Sequence, residues 1–321
     1  MTFPFSYDHA EALVFGGTLP TRPSFDESSV VILPCPVDRT TSYVGGTRNG
    51  PHEILQASSH MEIWDEEMRA DIHAVGIFTL PEMELPFGEM QAVVDEIERV
   101  AYEIIGRDKF LVALGGEHSI TPPLISAARR KYAGLSVLQI DAHTDLRESY
   151  MGTRHNHACA MRRALEYAPI TQVGIRSLST EEAAMIPKLD TTIFYDVSMR
   201  RDPRWIDHVV DTLAEDVYVS IDVDGLDPSI MPATGTPEPG GLSWHEVTAL
   251  LRATAERRRI VSCDVVELSP IPGMVAPNFL AAKLVYKVLT YCFAHDERTQ
   301  RLGQADHRVV TDPRSTEPAD R

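Results

Sequence analysis

Cysteine is scarce in this chain of 321 residues: Cys35, Cys159, Cys263 and Cys292 are the whole complement, and no two stand in CxxC spacing. That excludes a disulfide-built scaffold and a thiolate-bound structural zinc, and reads as reduced thiols buried in apolar stretches. Long hydrophobic runs are missing too. Nothing approaches the roughly 20 apolar residues of a membrane span, and residues 1–8 have neither the basic start nor the apolar run of a signal peptide. A cytoplasmic protein without a membrane partner is therefore expected. Positive charge is the third shortage: 30 lysines and arginines stand against 47 acids, a net charge of -17. That balance argues against nucleic acid and suits a small cationic substrate or metal ions. No internal repeat occurs, and neither Gly115-Gly116 nor Gly240-Gly241 has the spacing of a phosphate loop.

What the chain does have is alternation. Apolar runs at residues 30–33, 110–114, 136–140, 171–175, 192–195, 217–221 and 260–266 have strand character. Residues 88–105, 123–132, 158–167, 204–215, 243–258 and 277–293 have helical spacing, with Met90, Val93, Ile97, Val100 and Ile104 recurring on one face of the first. Such βαβα order implies an α/β fold, a parallel sheet covered by helices on both faces with ligands at the carboxyl ends of its strands. Two long loops, residues 146–156 and the Pro- and Gly-rich 225–242, suit the service of a site. One domain over residues 1–295 is expected, followed by a polar, disordered tail over residues 296–321.

The chemistry is concentrated where the apolar runs end. Asp141, His143 and Asp145 occupy alternate positions behind residues 136–140, and Asp222 and Asp224 repeat the pattern behind residues 217–221. Alternate side chains of an extended chain face one way, so each set converges on one space. A third run ends in Gly115-Gly116-Glu117-His118 and supplies another histidine. Four carboxylates and two imidazoles form a hard, oxygen-rich donor set, better matched to manganese or magnesium than to tetrahedral zinc. Six ligands exceed the needs of one ion. Two cations roughly 3.5 Å apart and sharing aspartates would activate water as a nucleophile near neutral pH.

Together, Gly115-Gly116-Glu117-His118-Ser119, Asp141-Ala142-His143-Thr144-Asp145, Ser220-Ile221-Asp222-Val223-Asp224-Gly225 and Asp264-Val265-Val266-Glu267 resemble the ureohydrolase family of arginases and agmatinases. Residues 41–51 and 235–242 are similar to agmatinase-type members, so the resemblance runs from about residue 15 to 294. It implies a three-layer α/β/α fold with an eight-stranded parallel sheet, two manganese ions per chain, and hydrolysis of a guanidino group to urea and an amine. Nickel or cobalt also suits the donor set. Homotrimers or homohexamers are implied as well.

Carried over by residue, the resemblance makes His118, Asp141, Asp145 and Asp222 ligands of one ion and Asp141, His143, Asp222 and Asp224 ligands of the other. Asp145 would also orient the attacking water, Glu267 would pair with the substrate guanidinium, and His157 would transfer protons, with His155 in reserve. Simpler roles compete: a turn former for Asp227, a helix-start residue for His157, a loop cap for Glu267. For the substrate tail, Ser179 stands where arginases carry an aspartate that holds the α-amino group, which favours agmatine, cleaved to putrescine and urea. Glu182, or else Glu148 or Glu181, would attract its amine, while Arg147 leaves room for an acidic tail. Guanidinobutyrate, guanidine and arginine are the alternative substrates, and a non-catalytic metal-binding subunit is the alternative of another class.

Overall fold

The protein is described here from a computed structural model covering residues 13–17 and 23–301. Its main sheet has eight strands, all parallel, in the order β3-β1-β4-β9-β8-β5-β6-β7. They are β1 (Val30–Cys35), β3 (Ile77–Thr79), β4 (Phe110–Gly115), β5 (Ser136–Ile140), β6 (Ile170–Ile175), β7 (Thr191–Tyr195), β8 (Asp216–Asp222) and β9 (Arg259–Val266). A short strand β2 (Ala70–Asp71) stands apart and pairs with β10 (Gln300–Arg301).

Strand periodicity builds two cores. Val30 and Ile32 of β1 join one apolar cluster, with Ile54 of α1 (Gly50–Ser58), Val209 of α7 (Trp205–Thr212), Leu250 of α8 (Trp244–Arg257) and Leu284 of α9 (Ala276–Phe293). Val31 and Leu33 join the other, with Ile97 of α2 (Met90–Gly106), Leu124 of α3 (Thr121–Lys131) and Met161 of α4 (Ala160–Ala164). Successive side chains point to opposite faces, so both faces must be covered, and the result is the expected three-layer α/β/α arrangement. Among the described residues, no helix is long and apolar enough to cross a membrane.

The four strands that end in motif residues, β4, β9, β8 and β5, are neighbours at the centre of the sheet. The chain crosses from β4 to β5 and returns through β8 and β9 to fill the gap, so sequence-distant strand ends meet at one crevice.

One boundary differs from expectation. Residues 296–301, assigned to a disordered tail, are folded: Thr299 donates its hydroxyl to the Phe293 carbonyl at 2.7 Å, Arg298 reaches Ser29 Oγ at 2.8 Å, and β10 pairs antiparallel with β2. Polar residues are held there by backbone pairing and not by apolar burial, so hydropathy does not reveal them. Residues 302–321 of that tail, and the N-terminal residues 1–8, lie outside the described residues.

Candidate metal centre and active site

Local backbone geometry aims the strand ends at one another. After β4, Gly116 packs so closely that a Cβ would lie 1.8 Å from the Val37 carbonyl oxygen, and the chain then turns into a 3-10 segment that begins with His118. After β8, a 3-10 turn brings Asp224 beside Asp222, whose Oδ1 accepts from the Asp224 amide at 2.9 Å. After β5, Asp145 has φ +51°, and after β9, Glu267 has φ +66°. Left-handed backbone at a carboxylate is costly and persists where surrounding structure enforces it.

All six expected ligands meet here. His118 Nδ1 stands 3.2 Å from Asp141 Oδ2, 3.0 Å from Asp145 Oδ2 and 3.3 Å from Asp222 Oδ2. His143 Nδ1 stands 2.9 Å from Asp224 Oδ2 and 3.5 Å from Asp141 Oδ1. Asp141 thus faces both imidazoles, one oxygen to each. Donor atoms of His118, Asp141 and Asp145 lie within 4.8 Å of one another, as do those of Asp141, His143 and Asp224.

Beneath His118 runs a buried polar column. Asp264 accepts from the hydroxyls of Ser220 and Tyr218, each at 2.7 Å, and of Thr121 at 2.9 Å. With its proton given to Asp264, Ser220 Oγ is left to accept from His118 Nε2, 3.0 Å away. The other ring nitrogen, Nδ1, is buried without a hydrogen-bond partner although three carboxylates crowd it. A lone pair among anionic oxygens is the arrangement a divalent cation resolves, and the donor set fits two such ions.

Electrostatics tell the same story. Burial, then Asp224 and Asp141, pushes Asp222 far above the usual carboxylate range. Burial and Asp141 likewise raise Asp145 and Asp224. Asp141 goes the other way: burial opposes its charge, but His118 and His143 hold it low. Burial also disfavours the charged imidazoles, yet Asp224 and Asp141 lift His143 to about 12 and the aspartates around His118 raise it as well. Without cations, protons on the histidines offset the crowded aspartates.

A pocket of about 240 Å³ opens onto this cluster, and Asp145, His157 and Glu267 share its lining with Thr41, Tyr43 and Tyr150. Glu267 accepts from the His118 amide at 2.6 Å, and burial together with Glu117 raises its carboxyl well above the ordinary range. His157 sits between Thr40 Oγ1 and Ser42 Oγ, each 3.3 Å from a ring nitrogen. His155 is absent from the lining.

Glu182, expected to attract the substrate amine, is engaged otherwise. Its Oε1 accepts from Thr144 Oγ1 at 2.8 Å and Leu146 N at 2.9 Å, and its Oε2 from Ser179 N at 2.8 Å, closing a capping box at α5 (Thr180–Met185). This carboxylate braces the turn that carries Asp145. Glu148 is paired with Arg162 and Arg163, each at 2.9 Å. Asp227 is a turn former, its Oδ1 accepting from Ser229 N at 2.8 Å.

Several residues outside the expected ligand and catalytic set shape the centre. Arg176 clamps the 225–242 loop by donating to the carbonyls of Asp224 at 2.6 Å, Glu238 at 3.0 Å and Pro239 at 3.1 Å. Glu117 and Asp264 were visible only as members of the motifs.

Comparison with known proteins agrees with this geometry. A profile of the arginase family matches residues 28–290. The N(1)-aminopropylagmatine ureohydrolase of Synechocystis sp. is 38% identical over 276 residues, covering 84% of this chain and 90% of that protein. The agmatinase of Bacillus cereus is 36% identical over 257 residues, covering 78% of this chain and 87% of that protein. The crystal structure of the agmatine ureohydrolase of Thermoplasma volcanium superposes with a TM-score of 0.78 at 33% identity, covering 85% of this chain and 92% of that one. With most of its length matched by the family profile and by ureohydrolases at well over 30% identity, the chain is an enzyme of the arginase family.

Proposed function

We propose that the chain hydrolyses the guanidino group of a linear, cationic guanidino amine of the agmatine type, releasing urea and an alkyl amine, with two manganese ions. The observation that carries this reading is the convergence of His118, Asp141, Asp145, Asp222, His143 and Asp224 where the pocket lined by Glu267 ends, with Glu267 itself accepting from the His118 amide. His118, Asp141, Asp145 and Asp222 would hold one ion, and Asp141, His143, Asp222 and Asp224 the other. When bound, the ions lower the pKa of water toward neutrality.

The chain's own groups do the rest. Glu267 binds the planar guanidinium through its carboxylate, and Asp145 orients the attacking water by accepting its hydrogen bond. Water passes one proton to His157 as its oxygen adds to the guanidinium carbon, His157 returns that proton to the alkyl nitrogen as its bond to the carbon breaks, and the O–H proton released as urea forms completes the ammonium group of the amine.

The tail reading is supported by how two lining residues, Ser179 and Glu182, are engaged. Ser179, at the position where an arginase holds the α-amino group, uses its hydroxyl to cap α5, and Glu182 is committed to the 144–146 turn. The Glu182 carboxylate is committed, and a neutral hydroxyl at Ser179 offers no charge to an α-ammonium group. Agmatine is our first choice, and N(1)-aminopropylagmatine, named for relatives at 37–38% identity, fits the same logic. A panel of both with arginine, guanidinobutyrate and guanidine, scored by urea formed, tests this. Arginine should trail in kcat/KM on the order of 100-fold. Arginine in first place would overturn the tail assignment, and urea from none of the five would overturn the guanidino reading. Assembly into a homotrimer or homohexamer belongs to the same proposal and is checked by sedimentation.

A further inference from the structure

A second chain of carboxylate, hydroxyl and imidazole lies on the other side of the β4 terminus. Glu117 is fully buried, and donors occupy both of its oxygens. Oε2 accepts from the backbone N–H of Arg39 at 2.6 Å and of Thr40 at 2.7 Å; Oε1 accepts from the hydroxyls of Thr40 at 2.7 Å and Ser119 at 2.6 Å. A hydroxyl has one hydrogen, and that of Thr40 is used on Glu117. Toward His157 the Thr40 oxygen is then an acceptor only. It takes the His157 backbone N–H at 3.0 Å and stands 3.3 Å from Nδ1. A bare Nδ1 would set one lone pair against another, so Nδ1 carries the hydrogen. The bare nitrogen of the neutral ring is Nε2, 3.3 Å from Ser42 Oγ on the pocket wall.

We propose that Glu117, acting through Thr40, is a positioning residue that fixes neutral His157 as the Nδ1–H tautomer, so that Nε2 is the atom that takes and gives the proton. The catalytic half of this statement rests on the role given to His157 above; the tautomer rests on hydrogen bonds alone. Asn156 supports the same seat, its side-chain oxygen accepting from Ala158 N at 3.0 Å and its amide donating to the Thr40 carbonyl at 3.4 Å. Adjacent residues of one motif thus divide the work: His118 joins the metal cluster and Glu117 sets the proton-transfer group. An imidazole in the other tautomer would present N–H where a lone pair is needed.

The test compares Thr40→Val, Thr40→Ser and Glu117→Gln in the full chain, each checked for folding and metal content. Ring-15N histidine spectra of the protein loaded with diamagnetic zinc read the tautomer, with His157→Asn identifying the signal, and kinetics are run with manganese. Thr40→Val should lose the Nδ1–H signature and lower kcat about 10-fold or more while KM moves by less than about threefold. Thr40→Ser should restore both. Glu117→Gln lets an amide donate to Thr40, frees the hydroxyl to turn, and should mix the tautomers; it gives the same reading if Thr40→Val does not fold. An unchanged Nδ1–H signature in Thr40→Val or Glu117→Gln, or a Thr40→Ser protein no better than Thr40→Val, would overturn the proposal. Should the wild type hydrolyse no guanidino compound, the functional reading falls while the spectra still decide the tautomer.

Discussion

His118 and His157 each end a chain of carboxylate, hydroxyl and imidazole, yet the two chains leave opposite nitrogens bare. Asp264 and Ser220 take Nε2 of His118 and leave Nδ1 to the aspartates; Glu117 and Thr40 take Nδ1 of His157 and leave Nε2 to the pocket. On the proposed function, the same three-part device would make a metal ligand in one place and a proton carrier in the other. What differs is the surroundings: His118 is sealed in the sheet end among carboxylates, whereas His157 is half-buried on a pocket wall. His143 is a third case. Its side chain is 25% exposed, and its Nε2 is 3.9 Å from Glu238 Oε1, too far for a hydrogen bond. It is a candidate ligand by position, and among the described residues no hydroxyl is bonded to its ring.

That contrast can be broken or sharpened experimentally. His143→Ala should bind one ion fewer per chain and lose turnover by more than about 100-fold, since even groups that merely orient ligands are worth 10–100-fold. Near-normal rates with full metal content, measured by elemental analysis, would show that His143 is not a ligand. Ser220→Ala frees the His118 ring, so manganese affinity by calorimetry should fall about 10- to 100-fold. An equal fall for Glu238→Ala would erase the distinction between the two imidazoles.

A change of pH acts on both ligands together. Their folded-state pKa values are raised, His143 to about 12 from an ordinary 6.5. In the metal-free chain the stability they contribute is complete below the ordinary value and is lost as pH climbs toward the raised one. Cations must displace those protons, so manganese affinity should rise with pH, about 10-fold per unit for each proton released. Calorimetry at two pH values one unit apart checks this, and a flat response would mean the imidazoles are already neutral. Smallest in its effect on binding, Glu182→Ala should cost about 1–3 kcal/mol of stability by stranding Thr144 and Leu146 donors. It should leave KM ratios among amine-tailed and tailless substrates unchanged; a selective rise for amine tails would return Glu182 to the substrate.

The candidate ligands are legible because their signal is local. Alternate positions at the end of an apolar run aim together in any strand, and Asp141, His143 and Asp145 need no tertiary information to be read that way. The braces depend on sheet order instead. Asp264 reaches Ser220 because β9 lies beside β8, and Glu117 reaches Thr40 because β4 lies beside β1, pairings that no short window contains. β3 is not legible because its three residues at the sheet edge, two of them half-buried and the third a threonine, form no apolar run. The helix expected over residues 158–167 is a 3-10 turn followed by the five residues of α4. Glu182 carries a second local signal: Ser179-Thr180-Glu181-Glu182 has the spacing of a capping box, and the glutamate that lines the pocket also closes that helix start.

The left-handed backbone at Asp145 and Glu267 bears on any effort to harden this enzyme against heat. Glycine would rest at either position at lower cost, by roughly 1 kcal/mol or more. Screening for durability alone would therefore favour removing two side chains to which the proposed reaction assigns a role. In this fold the tension between endurance and chemistry is located at two named residues, one at each end of the crevice between β5 and β9.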